Sequence, residues 1–268
     1  MRNYEESEWV RLINLHPHRA EGKREVDSES YWDQASENYN DKGYLPMAEE
    51  ITKHLKDTGI LNSNASMAEI GPGTGTFTKR MCDAVRNITC MDVSKKFLQH
   101  LEESCAEENI SNLIFVHQDW KGYVPNKEHD IVFTALCPVV NNPESILKME
   151  ECAKGWCIYV SSIIEDGSVH SEVWKRLGKE YTYAGHDTHF PYEFLKKHGR
   201  SPELIVFPSK RKEIPVEQAM EMEKKMFESF DYDVDEMIEE IVLSRAENGM
   251  VKTMKRSLGL LIWKPVMQ

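Results

Sequence analysis

The chain has 268 residues, 40% of them hydrophobic and 9% aromatic, with 33 Lys and Arg against 45 Asp and Glu. That length buries enough apolar surface for a packed globule without disulfide or metal staples, and one large domain with an accessory segment is expected. A formal charge of −12 argues against a nucleic-acid partner, because phosphate contacts need concentrated Lys and Arg.

Residues 1–26 are polar and uneven and read as an arm or short helix. From Ser28 the pattern turns helical, with Tyr31, Trp32, Ala35 and Tyr39 at helical spacing, and a second helix follows near Leu45–Leu55. Met67–Ile70 is a short strand running into Gly71-Pro72-Gly73-Thr74-Gly75, and helical character resumes from Thr76. Further strands are predicted at Ile88–Val93, Leu113–Val116, Asp130–Leu136 and Trp156–Ser161, with helices at Lys95–Ser104 and Pro143–Ala153 between them. Strands alternating with helices imply a parallel sheet covered on both faces. Two more helices, Val169–Leu177 and Pro191–Lys197, precede a strand at Glu203–Phe207. Two amphipathic helices then carry Val216 to Phe227 and Val234 to Val242, the second opening with a capping-box pattern from Asp233 to Glu236. Ser257–Trp263 closes the chain as a strand.

The glycine-rich turn has a physical reason. Glycines let the backbone turn tightly and approach a ligand without a Cβ in the way. The helix start beyond presents unpaired N–H groups to an anionic group. Asp92, at the end of the next strand and about 20 residues past Gly71, can accept both hydroxyls of a ribose. Glu69 stands where a nicotinamide site has an apolar residue, and Thr76 leaves the G-x-G-x-x-G pattern incomplete.

Glu69-Ile70-Gly71-Pro72-Gly73-Thr74-Gly75 resembles the first motif of class I S-adenosylmethionine-dependent methyltransferases. Asp92-Val93-Ser94 is similar to their ribose-binding motif, and His117-Gln118-Asp119-Trp120 to their adenine-binding motif. Asp130–Pro138, which contains Leu136, is similar to the fourth strand and the loop beside the sulfonium. Upstream, Tyr31-Trp32-Asp33-Gln34-Ala35 through Tyr39 resembles the leading helix of small-molecule methyltransferases. The resemblance implies a Rossmann-like α/β fold with a seven-stranded sheet, mostly parallel, whose last strand is antiparallel. It implies S-adenosylmethionine as cofactor, with Gly71, Gly73 and Gly75 allowing close approach and Glu69 at the methionine end. Asp92 and Val93 would hold the ribose, Asp119 and Trp120 the adenine, while Tyr39 and Leu136 complete the binding set. Residues 1–57 would form an arm and leading helices, and residues 58–268 the methyltransferase domain. In that fold the connection before the last strand leaves from the ligand edge, so the insertion at about 208–255 is expected to be a helical lid.

Methyl transfer needs the acceptor positioned, water excluded and, for some acceptors, a proton removed. His186 and His189, in a polar linker, are the candidate general bases. Their i, i+3 pair has too few ligands for a metal. The Asn/Asp-Pro-Pro-Tyr/Phe motif of base and glutamine N-methyltransferases is replaced by Thr134-Ala135-Leu136-Cys137-Pro138, which favours a small-molecule acceptor. The alternatives are a protein or RNA methyltransferase, or a non-catalytic cofactor-binding sensor or subunit. No apolar run approaches the roughly 20 residues of a membrane helix, so no membrane partner is expected. The first residues have no signal-peptide core, and the six cysteines lack CxxC pairs. Both features point to a cytoplasmic protein with free thiols.

Overall fold

The computed structural model describes residues 8–15, 28–164, 168–179, 187–209, 212–228, 230–252 and 256–266. The chain divides into two compact units, each assembled from separate stretches. The larger holds residues 25–162, 185–207 and 258–268, and the smaller holds residues 1–24, 163–184 and 208–257. The expected lid segment therefore belongs to the smaller unit, and the leading helices belong to the larger one.

The described residues hold nine strands in chain order: β1 (Ser66–Ile70), β2 (Asn87–Asp92), β3 (Leu113–His117), β4 (His129–Ala135), β5 (Ala153–Ile164), β6 (Glu203–Phe207), β7 (Glu213–Pro215), β8 (Met250–Lys252) and β9 (Arg256–Trp263). Seven of them form one sheet in the order β3-β2-β1-β4-β5-β9-β6. Parallel pairs join β1 to β2 and β4, β2 to β3, and β4 to β5, while β9 runs antiparallel to β6. All five residues of β1 are buried, as a strand with neighbours on both sides and helices on both faces requires. The chain winds outward from β1 to β3, then returns to β4 and winds the other way. The crevice at the carboxyl ends of β1 and β4 is thus the switch point, where open α/β sheets bind ligands.

The expected fold is present, and Glu150 shows how its last strand is oriented. Glu150 lies in the final turn of the helix Pro143–Cys152, which passes directly into β5 and so marks the amino edge of the sheet. Its carboxylate accepts from Arg200 Nε (3.0 Å) and Nη2 (2.7 Å), just before β6, and from Trp263 Nε1 (2.9 Å) at the end of β9. The start of β6 and the end of β9 therefore meet at one edge, and β9 is the strand that runs against the rest.

Several local expectations change. The helix around Trp32 spans only Glu29–Ala35. Tyr39 lies beyond it, because the Asn-rich stretch turns, with Asn40 Oδ1 accepting from the Lys42 amide (3.1 Å). Helix after the glycine turn is confined to Thr78–Met81, followed by a single 3₁₀ turn. The capping box of Asp233 and Glu236 does not form: the helix is Asp235–Arg245, its cap is Val234, and no side chain bonds the cap. Val234 is buried in an apolar cluster with Ile238 and Trp174, and that burial sets where the helix starts.

The smaller unit packs Val169–Arg176, Val216–Glu228 and Asp235–Arg245 around Trp174, Phe227, Phe230 and Ile241. The Trp174 and Phe227 rings meet at a tilt of 46° with centroids 4.9 Å apart. Met220 and Met237 pack against this core, whereas Met222 and Met226 are exposed. Strands β7 and β8 pair in a separate antiparallel ribbon that the sequence does not signal. Among the described residues no helix is long and apolar enough to cross a membrane.

Glu150 and Arg200 are 8% and 12% exposed, and removing one partner of a buried pair strands the other charge. Glu150→Ala should lower unfolding stability by about 3–5 kcal/mol in urea titration. Asp57→Ala, in the exposed Lys53–Asp57 pair, should cost under about 1 kcal/mol. Equal, small losses in both variants would contradict the structural role of Glu150.

Candidate functional site

The site begins where β1 stops. Thr134 Oγ1 donates to the Ile70 carbonyl (2.9 Å), and the Gly71 amide donates to the Met91 carbonyl (2.8 Å). The turn that follows places Gly71 at φ +67° and Gly73 at φ +52°, a left-handed region that costs residues with a Cβ about 1–2 kcal/mol. A Cβ on Gly71 would lie 2.4 Å from Cys137 Sγ, whereas one on Gly73 would meet nothing within 4 Å. Gly71 thus permits close packing of two loops, and Gly73 leaves open space. Gly75 serves the core, since its Cβ would lie 2.2 Å from Leu101 Cδ1.

Asp92 ends β2 and ties this turn to the next helix. Its Oδ2 accepts from the Gly73 amide (3.3 Å) and its Oδ1 from the Ser94 amide (2.9 Å). Burial raises its pKa above the ordinary carboxylate range, although hydrogen bonds from Ser94, Gly73 and Val93 oppose the shift. Ser94 caps the helix Lys95–Glu107 and donates to Asp33 Oδ1 (2.6 Å). Burial works against ionisation of Asp33, but the hydrogen bonds from Ser94 and the Lys96 amide outweigh it and hold the pKa low.

A cavity of about 880 Å³, part of it open to solvent, lies over these strand ends. All its lining residues belong to the larger unit. Tyr39, Gly71, Gly73, Asp92, Val93, Asp119, Trp120 and Leu136, expected from sequence, line it. Tyr39 meets Phe97 edge-on at 5.4 Å. Leu136, the first residue past β4, sits at φ +52° with its amide on the Val160 carbonyl (2.8 Å). Asp119 Oδ1 accepts from the Lys121 amide (2.9 Å). Trp120 is 4% exposed, stacks on Tyr123, and has the Lys148 ammonium 5.0 Å from its ring centroid. Its buried Nε1–H has no hydrogen-bond partner among the described residues.

Other expected residues lie elsewhere. Glu69 and Gly75 do not line the cavity. Glu69 is 2% exposed and accepts from Thr78 Oγ1 (2.7 Å); burial pushes its pKa up to about 7, with Asp92 adding to the effect. His186 falls outside the described residues. His189 opens the helix His189–Lys197, and its Nδ1 and backbone amide both lie 2.9 Å from Asp187 Oδ1. Asp187 bridges to Ser162 near the end of β5, and His189 is not part of the cavity wall.

The cavity also takes Asp41, Tyr44, Thr74, Thr76, Gln118 and Cys137. Asp41 sits in the turn beyond the leading helix, where Asn38, Asn40 and Asp41 themselves signal a loop. Burial pushes the Cys137 thiol up to about 12, so it is a neutral thiol at physiological pH.

Residues 67–154 match the methyltransferase domain family. With the strand order and the glycine turn, that match, over about a third of the chain, makes residues 67–154 similar to a methyltransferase domain. A Bacillus halodurans C-125 protein assigned as a methyltransferase shares the fold at TM-score 0.55, with 14% identity over 80% of this chain and 99% of that one. The magnesium protoporphyrin IX methyltransferase of Synechocystis PCC 6803, solved with S-adenosylhomocysteine, shares it at 0.51, with 13% identity over 97% and 96%. Ribosomal RNA small subunit methyltransferase A of Malacoplasma penetrans (strain HF-2) is 26% identical over 84 residues. The match spans 31% of this chain and 31% of that curated relative, so the chain spans about a third of its length.

Glu69 gives the site a pH signature. Its carboxyl titrates near 7 when folded, against 4.5 as its ordinary value. Between those values the folded state binds more protons than the unfolded state, so stability falls as pH rises through the window. The loss is at most about 3 kcal/mol. Glu69→Gln should therefore gain on the wild type in thermal melts as pH rises from about 4.5 to 7. Parallel curves across that window would refute the assignment.

Proposed function

We propose that the protein binds S-adenosylmethionine in this cavity and transfers its methyl group to a small-molecule acceptor. The observation that carries the reading is the convergence of Gly73, Asp92 and Trp120 on one cavity at the switch point of the sheet. The residues fit such a cofactor. Gly73 leaves open space where any other residue would project a Cβ. Asp92 accepts the Gly73 and Ser94 amides on separate oxygens, and its carboxylate keeps lone-pair capacity for a ribose hydroxyl. Asp119 keeps acceptor capacity for an exocyclic amine, and the buried Trp120 Nε1–H lacks a partner.

When bound, the cofactor supplies an electrophilic methyl group on a sulfonium. The chain's task is then to hold, orient and keep water out, and Tyr39, Phe97 and Trp120 give apolar surface for that. His189, outside the cavity wall, would be the proton acceptor for the methyl acceptor, with Asp187 at its Nδ1 and no partner at Nε2 among the described residues. The lid role of residues 208–255 belongs to the same proposal. So does a cytoplasmic setting, which is supported by six free cysteines.

An RNA acceptor is the second reading, favoured by the relative named for ribosomal RNA. Turnover on RNA, lost steeply as salt rises, with none on a metabolite pool, would establish it in place of the small-molecule reading. Tight cofactor binding without turnover on any pool would indicate a sensor.

Titration calorimetry should detect binding of S-adenosylmethionine and S-adenosylhomocysteine, and Asp92→Ala should weaken both by at least about tenfold. No binding at millimolar concentration would sink the proposal. His189→Asn should lower kcat while leaving cofactor affinity unchanged; an unaltered kcat would remove His189 from the mechanism.

A further inference from the structure

The carboxylate expected at the methionine end of the cofactor, Glu69, is shut away from the cavity by its strand and by Thr78. A different carboxylate faces the cavity beside the glycine turn. Asp41 Oδ2 accepts from the hydroxyls of both Thr74 and Thr76, which flank Gly75 and line the cavity themselves. These two bonds fix the Asp41 carboxylate against the loop and leave Oδ1 without a hydrogen-bond donor among the described residues. Arg80 gives Nη1 to the Thr76 carbonyl (2.8 Å) and Nη2 to Glu49 (3.4 Å), and its buried Nε has no partner among the described residues. Asp41 makes no ion pair among the described residues. A half-buried carboxylate with one oxygen anchored and the other open is an acceptor for an ammonium group, which brings three donors and a positive charge.

We infer that Asp41, and not Glu69, pairs with the ammonium group of the cofactor's methionine moiety. The inference rests on the proposed cofactor. It makes Asp41 a binding residue that reads the amino-acid end, while Asp92 reads the sugar. The bland alternative is that Asp41 only clamps the two loop hydroxyls, and an Asn could still accept from those.

The test is a cycle of two proteins and two ligands by calorimetry, with wild type and Asp41→Asn against S-adenosylhomocysteine and its deaminated analogue. Asp41→Asn should weaken S-adenosylhomocysteine by about tenfold or more, while affinity for the deaminated analogue changes less than about twofold. A misfolded fraction of the variant lowers the fitted stoichiometry for both ligands alike and leaves each Kd unchanged, so poor folding does not mask the result. Equal weakening of both ligands would reduce Asp41 to a loop clamp and overturn the inference. So would selective loss of S-adenosylhomocysteine in Glu69→Gln with Asp41→Asn unaffected. Wild type that binds the analogue but gains nothing from the amine overturns this inference alone. Wild type that binds neither ligand overturns the proposed function, and this inference with it.

Discussion

A short relay of hydrogen bonds through Asp92 holds the site in shape. The carboxylate takes the Gly73 amide on one oxygen and the Ser94 amide on the other. Ser94 in turn caps a helix and donates to Asp33, which sits on the leading helix. Four pieces of chain that are distant in sequence are thereby fixed relative to one another: the glycine turn, the end of β2, the start of the helix Lys95–Glu107 and the segment carrying Trp32. Because Asp92 is 9% exposed, its bonds operate at low dielectric, where each is stronger and a missing one is more costly. The same acid that would hold a ligand's hydroxyls therefore also builds the wall against which the ligand lies.

Strained and crowded positions concentrate around that relay. Gly71 and Leu136 both lie in the left-handed region, one past β1 and the other past β4, the two strands that flank the switch point. Cys137 fills the gap between them, close enough that any side chain at 71 would collide with its sulfur. Backbone of this kind persists only where the surroundings over-determine it. Here the buried strands do so, since β1 has no exposed residue and Val132 and Phe133 of β4 are fully buried.

What could be read from sequence divides along physical lines. The strand, glycine turn and Asp92 obey spacings imposed by a single βαβ unit, so local pattern was enough to find them. The role of Asp33 in the leading segment was not visible, because its partner Ser94 is brought to it only by the packed fold. The bonds from Thr74 and Thr76 to Asp41, and from Thr78 to Glu69, are hidden from the sequence for the same reason. Strands β7 and β8 have three residues each, too few for an alternating pattern to declare itself. The Asp233 capping box failed because a buried Val234 fixed the helix start, tertiary packing overriding a local signal.

The smaller unit gathers residues 1–24, 163–184 and 208–257 into one body. Trp9 and Ile13, buried on the helix Glu8–Asn14, belong to a unit whose remaining stretches begin only at residue 163. During synthesis the amino-terminal helix must therefore wait, with its apolar face unpaired, while the whole run from β1 to β5 is made. Closing so long a loop is entropically slow, and exposed apolar segments in that interval invite wrong partners. The first 26 residues carry five acidic and five basic side chains, and that charged character keeps the waiting segment hydrated, so a stretch that carries none of the cavity's residues shapes how safely the rest is assembled.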